Sequence, residues 1–577
     1  MGVPDTSLPD IPGLAGLTGR VGTLSKRWTA PLILELDLTD GLLDEPPADP
    51  LSALAAMRRP RLGEVRDGLR RARTDGRVRA LVAKVGGRRI GLAALQELRD
   101  SVIEFGRAGK PTVAWAESFG DFSAGNMSYY LATAFDRIYL QPSGDLGLTG
   151  VAVQQVFLGT AMDKLGVHYE VGKRREYKSA ADVLTERGFT GPAREATERL
   201  TASITSQLTA AIAERRGMPE DEVRALIDRG PFLSDEAREL RLVDELGYRD
   251  EVYAAVRRKA DKDAVLQYVG RYRRSHALAE RVRTLPSPKE QFVALIHASG
   301  PIRRGRSGRG PGSAAMGSDT VAAALRAAAR DPRARAILLR VNSPGGSAVA
   351  SDTIWREVAR ARAGGTPVVV SMGDVAASGG YYIAAAADVI VAEPGTITGS
   401  IGVIMAKPVL RELMERAGVS TDSVAEGTHA TMFAPTRPFT AEEWDRINLW
   451  LDRSYADFTA KVADGRRLSA ARVEEVARGR VWTGADALEQ GLVDELGGMD
   501  AAAAHARSRA GLPAGAPLRL YPRPSPLERV RGAASSEAAA ASPARLWEGW
   551  GPLAALAAQA GLPPYGPLFL PGNWTFD

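Results

Sequence analysis

Short apolar runs alternate with longer amphipathic stretches along most of this chain. TAPLILELDL (29–38), VRALVAKV (78–85), PTVAWAE (111–117) and DRIYLQP (136–142) have strand length and end in turn residues. Helical periodicity marks GLAALQELRDSVIEFGRAG (91–109), TERLTASITSQLTAAIAERRGM (197–218) and LWLDRSYADFTAKVADGRRL (449–468). Strand and helix in alternation predict βαβ units and a mostly parallel α/β sheet.

The pattern occurs twice. RARTDGRVRALVAKVGG (71–87) matches AAARDPRARAILLRVNS (327–343) at an offset of 256 residues, and GKPTVA (109–114) faces GTPVVV (365–370) at the same offset. YYLATAFDRIYLQPSGDLGLTGV (129–151) matches YYIAAAADVIVAEPGTITGSIGV (381–403) at 252, and LVDELG (242–247) recurs at 492–497. A period this long is a domain duplication, because solenoid repeats run about 20–50 residues. The expected organisation is an extension (1–29), a first repeat (30–255), a basic helical linker (256–289), a second repeat (290–512) and an Ala/Pro-rich tail (513–577). RRGRSGRGPGSAAMGS (303–318) is expected to be a mobile loop, and the tail either to dock or to stay disordered.

Composition narrows the chemistry. Of 577 residues, 75 are basic and 69 acidic, and no lysine- or arginine-dense block beyond RRSHALAERVRT (273–284) occurs, so nucleic-acid binding has no strong support. The net charge of +6 leaves room for weak attraction to an anionic membrane surface. The absence of cysteine excludes disulfides, thiolate metal sites and a cysteine nucleophile. Five scattered histidines, with no H-E-x-x-H pair, argue against a zinc hydrolase. No metal or cofactor is expected. The opening MGVPDTSLPDIPGLAGLTGR lacks the layout of a signal peptide, and no uncharged apolar run reaches the ~18–20 residues that span a bilayer.

The repeats differ where chemistry is possible. Aligned on the tyrosine pairs, Ser378 in AASGGYY faces Asn126, and VNSPGGS (341–347) faces VGGRRIG (85–91). Conversely, Lys178 in REYKSAAD faces Ala430. One repeat keeps a serine and glycine turns, the other a lysine. Taken alone, Ser378 reads as a helix N-cap and Lys178 as a solvated surface residue. Together they predict one composite site. A serine hydroxyl needs a base to become a nucleophile. Lysine serves only when neutral, and burial can lower it by up to ~3–5 pH units. With 11 lysines against 64 arginines, which cannot lose their proton, candidate lysine bases are few. Gly379 and Gly380, and the Gly345–Gly346 turn, offer backbone N–H groups for a developing oxyanion.

RVNSPGGS, MGDVAASGGYYIAAAADVIVAEPGTITGSIGV and YKSAADV resemble the signatures of the signal peptide peptidase A family, in its long, duplicated form, over about residues 30 to 510. The resemblance implies a tandem duplication of a ClpP/crotonase-like β-α superhelical domain. It implies Ser378 as nucleophile, Lys178 as general base, Ser400 as the group that orients the lysine, and Gly379, Gly345 and Gly346 as the oxyanion hole. The implied substrates are signal-peptide remnants and other apolar peptides, and the implied assembly is a homotetramer. Long members of the family carry an N-terminal membrane anchor. None is found in this sequence, so the expected location is cytoplasmic, with peripheral membrane contact open through Trp547, Trp550 and Trp574. Two other readings stay in play: a crotonase-type acyl-CoA enzyme, which wants carboxylates at the site, and a non-catalytic oligomeric scaffold.

Overall fold

The computed structural model describes residues 30–44, 59–87, 90–283, 290–310, 313–521 and 568–569. The chain divides into two compact units, and each draws on separated stretches of sequence. The first unit comprises residues 1–89, 98–149 and 214–284; the second comprises 90–97, 150–213 and 285–577. Residues 150–213, which belong to the first repeat by sequence, therefore fold into the second unit.

The first unit is built on six parallel strands in the order Glu245–Leu246, Arg137–Leu140, Thr112–Ala116, Val78–Lys84, Leu32–Asp37 and Val265–Tyr268. The last of these lies inside the segment expected to be a helical linker. That segment holds the end of helix Arg249–Ala260 and helix Val269–Arg283, with the strand between them. VLQY is too short and too mixed to announce itself, and pairing with Leu32–Glu35 fixes it. Ile33, Val82, Val113 and Trp115 pack on one face against Val252, Tyr253 and Val256.

The second unit has a larger sheet. Its order is Val481–Thr483, Ile397–Gly399, Val368–Ala377, Ala334–Ser343, Phe292–Ser299 and Leu518–Leu520. Val389–Ala392 also pairs with Val368–Ala377. All these pairings are parallel except that of Val481–Thr483 with Ile397–Gly399. The central strands are apolar at nearly every position because both faces are covered. Ile337, Leu339 and Val341 enter one core cluster and Ala336 and Leu338 the other, as the period of two requires. The tail contributes Leu518–Leu520 to this sheet. The glycine-rich loop is a hairpin, not an open loop: Gly308–Gly310 pairs antiparallel with Ser313–Gly317, which in turn pairs with Ile302–Arg303.

The α/β expectation and the duplication both hold, down to single hydrogen bonds. In the first unit the Tyr129 hydroxyl donates to Leu242 O at 2.7 Å and Ile138 N to Asp244 Oδ2 at 2.7 Å. In the second, Tyr381 donates to Leu492 O at 2.9 Å and Ile390 N to Asp494 Oδ2 at 2.7 Å. The first tyrosine of each pair is thus a core anchor.

Within the second unit, Arg340 on the central strand is 1% exposed and meets Glu97, itself nearly as buried, at 2.5 Å. It also donates to Ser371 Oγ and Met372 O. Removing one ion of a buried pair strands the other and costs about 3–5 kcal/mol, whereas apolar replacement of both is often neutral. Arg340→Met is expected to lower the calorimetric midpoint of the second unit by several degrees, and Arg340→Met with Glu97→Leu to recover much of the loss.

Candidate active site

Strand Val368–Ala377 ends at Ser378, and helix Gly379–Ala384 begins at the next residue. Ser378 turns the corner at φ 54° and ψ −114°, a conformation that costs a non-glycine residue on the order of 1–3 kcal/mol. Its N–H donates to Gly399 O at 2.8 Å and its carbonyl accepts from Tyr382 N at 2.9 Å. The glycines that follow are required by crowding. A Cβ on Gly379 would stand 3.1 Å from both Gly345 Cα and Gly346 N, and one on Gly380 2.5 Å from Ser343 O. The NSPGG turn is therefore pressed against the residue after Ser378. Gly345 and Gly346 have φ of 100° and 153°, open to glycine and hardly to any other residue. Gly345 N donates to Ser343 Oγ at 3.2 Å.

Lys178 reaches the same place from the other repeat. Strand His168–Lys173 pairs antiparallel with Ile404–Val409. Beyond it, Arg174 N donates to Val403 O at 2.9 Å and Tyr177 N to Arg478 O at 3.2 Å. These bonds lay residues 174–178 along the turns at 400–403 and 478–480. Lys178 is fully buried, and its Nζ stands 2.9 Å from Ser378 Oγ, 2.9 Å from Ser400 Oγ and 3.1 Å from Ser400 O. Ser378 and Ser400 are equally buried. Desolvation alone pulls the amine from 10.5 down to about 7, with no carboxylate contributing.

The sequence profile of Peptidase family S49 matches two stretches, residues 104–263 and 360–513. They begin 256 residues apart, the offset at which the repeats align. The chain belongs to peptidase family S49. Among relatives, it is 31% identical over 455 residues to the chloroplastic serine protease SPPA of Arabidopsis thaliana, an alignment covering 78% of this chain and 66% of that one. It is 35% identical over 427 residues to protease 4 of Salmonella typhi, covering 73% and 66%. A putative signal peptide peptidase SppA of Enterococcus faecium is 37% identical over 173 residues, covering 30% and 50%. The chain thus spans just under two thirds of the length of the first two relatives.

Of the residues singled out from this S49 sequence, Ser378, Lys178 and Ser400 come together directly, and Gly379 abuts Gly345 and Gly346. Their counterparts in the other repeat differ. Asn126 is buried in the first unit, its Oδ1 accepting from Thr149 N at 3.0 Å. Ala430 is exposed, in a turn where its N–H donates to Gly427 O at 3.1 Å. Two residues with no sequence signal also shape the site. A Cβ on Gly479 (φ 84°) would fall 2.5 Å from Lys178 N and 2.7 Å from its Cβ, and one on Gly402 would meet Gly479 Cα at 2.9 Å and Lys178 Cδ at 3.3 Å. These glycines form the slot in which the lysine stem lies. Nothing separates GRV or SIG from other glycine turns until the fold brings them together.

Two expectations follow from the buried amine. Gly479→Ala should push Lys178 out of its slot, and NMR titration of ¹³C-labelled lysine should then show the amine moving from about 7 toward 10.5. The folded-state value lies below that of the unfolded chain. Lys178 therefore withdraws stability fully below about pH 7, progressively less as the pH climbs to 10.5, and not at all above it. Lys178→Met should accordingly raise the unfolding midpoint at acidic pH and leave it nearly unchanged near pH 10.5.

Proposed function

We propose that this S49 chain is a serine endopeptidase working through a Ser378–Lys178 dyad. The observation that carries the reading is the 2.9 Å approach of Lys178 Nζ to Ser378 Oγ, with both groups buried. Ser378 Oγ attacks the peptide carbonyl while the neutral Lys178 amine takes its proton. The tetrahedral intermediate places its negative oxygen against backbone amides of the Gly379 and Gly345–Gly346 turns. Lys178 returns the proton to the leaving amine, and the acyl-enzyme is hydrolysed by a water that gives its proton to the same lysine. Ser400, through both its hydroxyl and its carbonyl, holds Nζ in line.

The substrates are extended apolar peptides, signal-peptide remnants included, in keeping with the name of the Enterococcus relative and with the crowding of small residues around Ser378. Assembly as a homotetramer and peripheral contact with a membrane surface belong to the same proposal. Among the described residues, no helix is long and apolar enough to cross a membrane. The acyl-CoA reading is less favoured because no carboxylate contributes to the environment of Lys178.

Cleavage of a fluorogenic apolar peptide, measured from about pH 6 to 10, tests the dyad. Ser378→Ala and Lys178→Ala should each lose at least about a thousandfold in kcat, and Ser400→Ala should lose less, in kcat rather than KM. Wild-type kcat/KM should rise through a single step near 7 and stay level above it, because the free amine is the active form. Full activity in Lys178→Ala would place the base elsewhere. An inert wild type would move the scaffold and acyl-CoA readings forward.

A further inference from the structure

A single side chain joins the residues on either side of the lysine slot. Arg480 follows Gly479, which lines the slot, and Tyr177 precedes Lys178. The Arg480 guanidinium lies over the Tyr177 ring at 5.1 Å and over the Trp482 ring at 4.4 Å. Its Nη2 donates at 2.6 Å to Oε1 of Glu195, on helix Gly191–Arg216. Only 17% of the side chain is exposed, and its Nε is buried with no hydrogen-bond partner. An unsatisfied buried donor costs free energy. Two aromatic rings and one carboxylate hold the group in spite of that cost.

The backbone of the same residue reaches the other side of the amine. Arg480 O accepts from Ser400 N at 2.6 Å, and Ser400 is the residue whose hydroxyl and carbonyl both meet Lys178 Nζ. On the lysine segment, the Tyr177 ring packs against Ala196, Leu200, Ala377, Ile397 and Val481. Glu195 stands beside the Tyr177 hydroxyl as well. Burial first, and this contact second, hold that phenol above its ordinary 10. Arg480 thus touches both the group that aims the amine and the segment that carries it.

The other repeat shows what this turn looks like without a lysine to house. Counted back from the two LVDELG stretches, 250 residues apart, Phe232 stands opposite Trp482 and Gly230 opposite Arg480. Strand pairing agrees, since Phe232 faces Leu146 as Trp482 faces Thr398. At Gly230 a Cβ would fall 1.9 Å from Leu148 O, so no side chain fits there. The strand and its aromatic residue are common to both repeats. The guanidinium belongs only to the repeat whose turn meets the amine.

We propose that Arg480 is a positioning residue for Lys178, its guanidinium a clasp that holds the Tyr177–Lys178 segment closed against water. The proposal rests on the peptidase reading for its effect on rate, but not for the clasp itself. Desolvation alone keeps the amine uncharged near neutral pH, so water admitted through a loosened clasp favours the ammonium. The amine itself faces the hydroxyls of Ser378 and Ser400. Around the clasp the charged groups are Glu195 and three ion pairs, Arg478 with Glu176, Arg175 with Glu474 and Lys173 with Asp182.

The test is an NMR titration of ¹³C-labelled lysine in the full chain, run beside the pH profile of peptide cleavage. Arg480→Met keeps an apolar stem and loses the plane and the charge. It should raise the Lys178 amine from about 7 by about one pH unit or more. Arg480→Lys should do nearly the same, because an ammonium lacks the plane that stacks on the rings. Glu195→Gln should raise it less. The step in kcat/KM on the fluorogenic peptide should move up with the amine in each variant. Near pH 10, where the amine is free, Arg480→Met should cleave within about threefold of wild type. An unmoved amine in folded Arg480→Met overturns the proposal. A loss of activity equal at every pH overturns it too, since general loosening would give that. If Arg480→Met does not fold, Glu195→Gln decides, because that side chain is half exposed, and an unmoved amine there is equally fatal. If wild type cleaves nothing while the amine moves as expected, the peptidase reading fails and the clasp stands.

Discussion

A lysine amine kept from water beside a serine hydroxyl is the constraint on which this structure turns. Transfer of a charged ammonium into such a place is strongly unfavourable, so the group gives up its proton instead. That same exclusion makes the amine a base near neutral pH. The gain in reactivity and the loss in stability have one physical cause, and neither can be tuned without the other.

Holding the arrangement falls to the backbone. Positive φ at Ser378, Ser400, Arg175 and Arg478 marks four tight turns around one point, each at a residue other than glycine. Such conformations persist only where the surroundings overdetermine them. Here the determinants are backbone hydrogen bonds, among them Ser378 N to Gly399 O, Ser400 N to Arg480 O, Tyr177 N to Arg478 O and Gly479 N to Ile401 O. Glycines at 379, 380, 402 and 479 remove the side chains that would keep these segments apart. The Ser378–Lys178 pair is thus placed by main-chain contacts between turns, while sheet and helices supply the rigid frame.

Much of this was legible in the sequence, and the remainder was not, for identifiable reasons. Periodicity announced the long central strands because burial on two faces leaves them almost wholly apolar. The duplication was visible as self-similarity, and the loss of lysine in one copy and serine in the other drew attention to the two residues that meet. Short elements were lost: Val265–Tyr268 and the Gly308–Gly317 hairpin owe their strand character to a partner, not to their own composition. The allegiance of residues 150–213 to the second unit was hidden as well, because covalent order suggests the wrong neighbours. Gly402 and Gly479 could not be distinguished from ordinary turn glycines, since what they accommodate is a side chain more than 200 positions away in the one case and 300 in the other.

Lys178 and Ser378 are separated by 200 residues of chain, and so by time as well as by sequence. At about 5–20 residues per second, roughly 10–40 s of synthesis pass between the emergence of the lysine and that of the serine. During that interval the lysine segment also lacks Val403 and Arg478, the backbone partners that hold it. A chain interrupted anywhere before the second repeat carries an amine with no hydroxyl to activate and no pocket to depress its proton affinity. The Ser378–Lys178 pair thus cannot assemble until the second repeat has been made.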